Sequence, residues 1–173
     1  YLFIPVGNAG NITAYWMGFC QYRDLGKIQH PPKMMGFQAE GAAPIVEAIK
    51  SSASHVQRWP SVETKATAIR IGNPVNAPKA LPAIRGTGGT AITVSDGEIL
   101  AAQCELAEEG IGVEPASAAS VAGLRKLRSE GVVGKEEYVV CLATGILLKD
   151  PDAASFAREA PKEIPASVED VMQ

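Results

Sequence analysis

Residues 2–19 read LFIPVGNAGNITAYWMGF, and this stretch indicates how the chain folds. Residues 2–6 form a short apolar run that stops at a glycine, which is typical of a buried strand. The glycine-rich segment GNAGN, residues 7–11, follows at once. Beyond it, apolar side chains recur at the spacing of one helix face, at Ile12, Tyr15, Trp16, Phe19 and Cys20. The stretch therefore predicts a strand, a tight loop and a helix that ends near Gly26.

The rest of the chain repeats this alternation of strand and helix. We expect strands at residues 33–39, 66–71, 90–94 and 138–143, the last of them buried, and a brief strand at Val113. We expect helices through residues 45–49, within residues 79–85, from the capping box at residues 95–98 to about residue 109, and from Pro115 with Val121, Leu124 and Leu127 buried. One more short helix is expected in the tail after Asp150. The alternating order predicts one α/β domain with a mostly parallel sheet between helices.

Composition excludes several classes of protein. The 173 residues are enough for one domain with a real core, and 46% hydrophobic against 20% charged residues describes a globular chain. The net charge of −3 and the lack of a basic run argue against a nucleic-acid partner. No stretch approaches the roughly 20 apolar residues of a membrane span. We therefore expect neither nucleic acid nor a membrane as partner.

The cysteines indicate a compartment rather than a metal site. Cys20, Cys104 and Cys141 lack the spacing of metal ligands, and each lies in an apolar segment. We expect buried free thiols in a reducing compartment. The chain also begins at Tyr1, inside a predicted strand and without a recognisable signal peptide, so we expect a piece of a longer protein.

Three loops leave the carboxyl ends of predicted strands, where sheets of this kind bind ligands. In the first, residues 7–11, two glycines allow close approach of a ligand, and amides at a helix N-terminus favour an anion such as a phosphate ester. The loop does not fit G-x-G-x-x-G, and a plain turn is an equal alternative. In the last, Thr144 offers a neutral hydroxyl, which can also serve only the neighbouring backbone. Between them, Glu114 is expected to be a charge at a helix N-terminus, and His30 and His55 to be solvated.

Five motifs, taken together and in order, carry a family resemblance. They are GNAGNITAYWMGF, GFQAEGAAPIV, ATAIRIGNP, EPASAAS and LLKDP, between residues 7 and 151. In this combination the sequence resembles the threonine synthases, which are fold-type II enzymes dependent on pyridoxal 5′-phosphate. The resemblance implies a three-layer α/β/α fold of the tryptophan synthase beta-like kind. Residues 1–150 would be the carboxy-terminal part of the cofactor-binding large domain, and residues 151–173 a C-terminal tail.

The resemblance also implies a site and a reaction. The family's loop binds the cofactor phosphate through backbone amides, which here implies Gly7, Asn8, Ala9, Gly10 and Asn11. A threonine after the last strand bonds the pyridine nitrogen, which implies Thr144. The family is a lyase of threonine biosynthesis that converts O-phospho-L-homoserine and water to L-threonine and phosphate, as a cytoplasmic homodimer.

Two departures qualify the resemblance. The family's Schiff-base lysine lies in an S-x-K-D type segment upstream of the glycine loop, and no lysine of this chain has that context; Lys149, in LLKDP, belongs to the loop after the last strand. We therefore expect no catalytic residue in this chain, half an active site, and no activity of the chain alone. Gly145-Ile146 stands where many relatives have a histidine after the glycine, which alters packing near Thr144.

Three alternatives stay open from the sequence. A serine/threonine dehydratase or cysteine-synthase relative would share the fold, although GNAGN followed by ITAYW argues against both. A non-catalytic α/β module that binds a phosphorylated metabolite would use the same loop without covalent chemistry. A plain structural domain would use the loop only as a turn.

Overall fold

The computed structural model describes residues 1–151, 163–168 and 172. Within these residues four parallel strands form one sheet in the order β3-β2-β1-β4. The strands are β1 (Leu2–Pro5), β2 (Met34–Ala39), β3 (Ala91–Val94) and β4 (Val140–Cys141). The helices are α1 (Gly10–Asp24), α2 (Pro44–Lys50), α3 (Ala77–Gly86), α4 (Asp96–Glu108) and α5 (Pro115–Ser129). The helix expected in the tail falls mainly on residues outside those described.

Each face of the sheet carries its own apolar core, because successive side chains of a strand point to opposite faces. Phe3 and Phe37 lie on one face, where they pack with α4 and α5. Ile4 and Met34 lie on the other face, in the core built with α1, α2 and α3. The predicted three-layer α/β/α arrangement with a parallel sheet is confirmed.

Several local predictions are also confirmed. Helix α4 begins with the capping box, in which the Ser95 hydroxyl accepts from the Glu98 amide and the Glu98 carboxylate accepts from the Ser95 amide. Helix α1 ends just before Gly26, whose φ of +68° reverses the chain. Helix α3 extends slightly beyond the predicted range and contains Pro82.

The strand predicted at residues 66–71 is wrong. The structure has a 3₁₀ helix there instead, over Thr67–Ile69, with Ala66 and Ile69 buried in the core. A short apolar run has the same burial in either conformation, so periodicity could not separate them. The consequence for the site is large, because this 3₁₀ helix packs against the glycine-rich loop.

The last strand is shorter and less buried than predicted. β4 pairs with β1 over two positions at the edge of the sheet, and Val140 is 57% exposed. The brief strand at Val113 is a single antiparallel bridge to Ile146. In α5, Leu127 is buried as expected, whereas Val121 and Leu124 are only partly so.

Helix α5 packs mainly through small residues. Most of its buried positions are Ala, Ser or Gly, and a Cβ on Gly123 would overlap the Phe37 ring. The helix therefore lies very close to the sheet, which a pattern of large apolar residues does not reveal.

The cysteines are free thiols, as expected, but they are half-buried rather than fully buried. Burial raises the pKa of the Cys141 thiol to about 11. In the part of the chain that the structure describes, no helix is long and apolar enough to cross a membrane.

Candidate functional site

The loop at residues 7–11 links β1 to α1 through an unusual backbone conformation. Ala9 has a φ of +61°, in the left-handed region that few residues other than glycine adopt, and it occupies the N-cap position of α1. No side chain among the described residues caps this helix. The first amides of α1 therefore keep their hydrogen-bonding capacity, and the helix dipole places partial positive charge beside them.

Neighbouring segments hold the loop in place. The Asn8 carbonyl accepts from the Asn76 amide at 3.1 Å, and the Asn8 side-chain oxygen accepts from the Val75 amide at 3.5 Å. Gly7 is buried against the 3₁₀ helix; a Cβ there would lie 2.8 Å from the Ala68 carbonyl oxygen. The loop is thus fixed before any ligand arrives.

Gly10 differs from Gly7 because nothing in the fold requires a glycine there. Its φ is not positive, and the nearest atom to an added Cβ is Asn76 Nδ2 at 3.6 Å, an ordinary contact. Gly10 is exposed and lines a cleft. A bare backbone at an open position suits close approach of a ligand to the amides.

The cleft brings together every site residue predicted from the sequence. It has a volume of about 470 Å³, within the range of small-molecule pockets. Its walls are the loop after β1, the 3₁₀ helix, the start of α5 and the segment after β4. The lining residues are Pro5, Gly7, Asn8, Ala9, Gly10, Asn11, Ala68, Ile69, Glu114, Ala116, Thr144 and Lys149.

Thr144 is oriented by α5. Its hydroxyl lies 3.0 Å from the Ser117 hydroxyl, and either oxygen can be the donor. Ser117 Oγ also accepts from the Gly145 amide at 2.8 Å. When the Ser117 hydroxyl donates its hydrogen bond to Thr144 Oγ1, the Thr144 hydroxyl is free to donate a hydrogen bond into the cleft. Sequence reasoning missed Ser117, although EPASAAS contains it; its place on the first turn of a helix at the carboxyl edge of the sheet was the available signal.

Glu114 lies at the N-cap of α5, as predicted, but it also lines the cleft. The residue is only 6% exposed, and its carboxylate packs so closely against Gly145 that a Cβ there would collide with it. Gly145 is therefore required by the Glu114 side chain, and a larger residue at that position would displace the carboxylate.

The two histidines lie outside this cleft. His30 and His55 are both exposed, as expected, and His55 hydrogen-bonds to the neighbouring side chains of Ser54 and Gln57. Lys149 is the opposite case. The sequence placed it in a loop without a role, and the structure places it on the cleft wall.

The family model described as pyridoxal-phosphate dependent enzyme matches residues 1–145. The chain belongs to the family of pyridoxal-phosphate dependent enzymes. The cofactor of this family is pyridoxal phosphate. The fold-type II assignment made from the motifs is confirmed.

Individual relatives show which enzymes of this family the chain is similar to. The chain is 58% identical to a threonine synthase of Methanosarcina acetivorans over 171 residues, which cover 98% of this chain and 42% of that protein. It is 57% identical to a threonine synthase of Methanocaldococcus jannaschii over 162 residues, covering 93% of this chain and 40% of the relative. These matches confirm the resemblance to threonine synthases. The chain spans less than half the length of the curated relatives it matches.

Solved structures share the fold at low identity. Threonine deaminase isoform 2 of Solanum lycopersicum superposes with a TM-score of 0.68 at 22% identity, over 88% of this chain and 43% of that one. A threonine synthase of Brucella melitensis, solved with bound pyridoxal phosphate, gives 0.65 at 20% identity, over 95% of this chain and 39% of that one. At such identities these likenesses establish the fold alone.

Proposed function

We propose that this chain is part of a threonine synthase, and that the whole protein converts O-phospho-L-homoserine and water to L-threonine and phosphate. The observation that carries the proposal is the single cleft in which the GNAGN loop and Thr144 lie together. Identities of 57–58% to threonine synthases support the choice of reaction. Residues 1–150 would be the carboxy-terminal part of the cofactor-binding large domain.

The residues of the cleft fit the cofactor. Uncapped amides at the start of α1, next to the open position at Gly10, suit a phosphate ester held by backbone hydrogen bonds. Thr144 also lines the cleft and would offer its hydroxyl to the pyridine nitrogen. Gly7, Asn8, Ala9, Gly10 and Asn11 would hold the phosphate and Thr144 the ring.

Bound pyridoxal phosphate supplies an electron sink that stabilises carbanions next to the amino-acid nitrogen. The chain's own residues would set how strong that sink is. Thr144 is a neutral partner, so it does not hold a proton on the ring nitrogen as a carboxylate would. Ser117 fixes the position of the Thr144 oxygen, and the loop would hold the phosphate of the cofactor.

Other parts of the proposal concern the whole protein. The lysine that attaches the cofactor is expected outside this chain, so the chain alone is expected to be inactive. We further propose a homodimer and a cytoplasmic location; the free thiols of Cys20, Cys104 and Cys141 support a reducing compartment.

The deciding experiment measures phosphate release by the intact protein. With pyridoxal phosphate present, O-phospho-L-homoserine should yield phosphate and threonine in equal amounts. Consumption of serine or threonine with ammonia release, and none of phosphohomoserine, would instead identify a dehydratase. Saturable cofactor binding without turnover of any of these would identify a binding module.

A second measurement tests where the cofactor is attached. After borohydride reduction of the intact protein, the pyridoxyl group should be found on a lysine outside these residues. Recovery of the label on Lys149 would contradict the expectation that this chain contributes only half of the active site.

A further inference from the structure

Lys149 occupies a defined place on the cleft wall. It ends a 3₁₀ helix, Leu147–Lys149, which begins shortly after Thr144. Its side chain is exposed and lines the same cleft as the GNAGN loop. Of the lining residues, Lys149 is the basic one and Glu114 the acidic one. Within the described part of the chain, Lys149 forms no ion pair with a carboxylate.

The next residue fastens this segment across the cleft. The Thr67 hydroxyl donates to Asp150 Oδ2 at 2.6 Å. Thr67 begins the 3₁₀ helix whose Ala68 and Ile69 form another wall of the cleft. This bond joins positions 83 residues apart, so the segment that carries Lys149 is anchored by tertiary structure.

A cation in the cleft would improve the charge balance around a bound phosphate ester. A phosphate monoester brings nearly two negative charges near neutral pH. The amides and dipole of α1 provide about half a positive charge, whereas the Glu114 carboxylate opposes an anion. An ammonium group in the same cleft offsets that repulsion and adds a charge-assisted hydrogen bond.

We propose that Lys149 binds the phosphate monoester of a ligand in this cleft, and that Thr67 and Asp150 are positioning residues for it. The proposal rests on the proposed function. Two ligands carry this group, the cofactor and the phosphorylated amino-acid substrate. Their shared chemistry is what Lys149 recognises.

The test uses Lys149→Gln in the intact protein, with Lys135→Gln as control, since Lys135 is exposed and outside this cleft. Four quantities are measured: the Kd values of pyridoxal phosphate and of pyridoxal, the KM of phosphohomoserine, and inhibition by inorganic phosphate. Loss of one charge-assisted hydrogen bond should weaken the affected phosphate ligand about tenfold. Lys149→Arg, which keeps the charge, should recover most of that loss.

The pattern of loss identifies the source of the phosphate. Weaker binding of pyridoxal phosphate, with pyridoxal unchanged, assigns Lys149 to the cofactor. A higher KM and weaker phosphate inhibition, with unchanged cofactor affinity, assign it to the substrate. If Lys149→Gln matches Lys135→Gln in all four quantities, the proposal is overturned, while the proposed function stands. If the wild-type protein neither binds the cofactor nor releases phosphate, the proposed function itself fails.

Thr67→Val tests the positioning role without removing a charge. Breaking the bond to Asp150 should weaken the same ligand as Lys149→Gln, but by less, and should add little to the effect of Lys149→Gln when both are present. Full additivity of the two substitutions would show that Thr67 acts independently of Lys149 and would refute the positioning role.

Discussion

The two glycines of the loop, Gly7 and Gly10, have different surroundings, so alanine at each should have a different consequence. A Cβ on Gly7 would lie 2.8 Å from the Ala68 carbonyl oxygen and 3.2 Å from Ile69 Cα. Both are backbone atoms, so the 3₁₀ helix itself must shift. Overpacking of this kind costs about 1–3 kcal/mol, equivalent to a Tm lower by about 2–12 °C in a domain of this size.

Gly10→Ala should leave stability nearly unchanged. Its Cβ would meet Asn76 Nδ2 at an ordinary 3.6 Å, and alanine suits the first turn of a helix. We expect a change in unfolding free energy within about 0.5 kcal/mol. The methyl group would nevertheless stand beside the amides that we propose bind the phosphate. Loss of one hydrogen bond to a charged group should weaken pyridoxal phosphate binding about tenfold.

The assay pairs two measurements on both variants. Urea denaturation followed by circular dichroism gives stability without ligand, and fluorescence titration gives affinity for pyridoxal phosphate and for pyridoxal. Gly7→Ala should mainly lower stability. Gly10→Ala should mainly lower the affinity for pyridoxal phosphate and leave the affinity for pyridoxal unchanged. Equal destabilisation by both variants, or unchanged phosphate-ester affinity in Gly10→Ala, would refute the assignment of Gly10 to the ligand.

Three further predictions concern the rest of the chain. Burial alone raises the pKa of Glu98, but hydrogen bonds from Ser95 and the Lys126 ammonium lower the pKa overall. The stability that ionised Glu98 provides is therefore present above about pH 4.5 and is lost as the pH falls through the lowered pKa. Thermal melts of wild type and Glu98→Gln should differ in this acid dependence, and parallel curves would contradict it. Gly123→Ala should lower the unfolding free energy by about 1–3 kcal/mol, because its Cβ collides with the Phe37 ring, and an unchanged urea midpoint would contradict the close packing. The chain expressed alone should self-associate through apolar side chains near the end of α1, since Tyr22 and Leu25 are 58% and 70% exposed; a monomer at all concentrations in sedimentation velocity would argue otherwise.

Local signals in the sequence predicted the helix ends and the first strand–loop–helix unit well. The capping box at Ser95 and the glycine after α1 each specify a helix end by chemistry that needs no distant partner. The strand–loop–helix at residues 2–19 likewise depends on neighbouring residues. Such features can be predicted from the sequence because the residues that cause them lie within a few positions of one another.

Predictions failed where contacts between residues distant in sequence determine the local structure. Residues 66–71 are apolar enough for a strand, but the core takes Ala66 and Ile69 from a 3₁₀ helix that supports the loop. The residues at 138–143 looked buried, yet their strand lies at an edge, which depends on the order of strands in the sheet. Lys149 lines the cleft, and Ser117 contacts Thr144, only because α5 and the segment after β4 meet beside β1. No spacing in the sequence encodes that meeting.

The short pairing of β4 with β1 also bears on how the protein reaches its native state. The cleft needs residues from near both ends of the described chain, and the two positions of this pairing help to bring them together. Contacts so distant in sequence form slowly, because loop closure must precede them. A ligand that binds only the closed cleft shifts the equilibrium by mass action, by about 2.7 kcal/mol at a concentration of one hundred times Kd. Cofactor supply would then govern how much of the chain survives proteolysis.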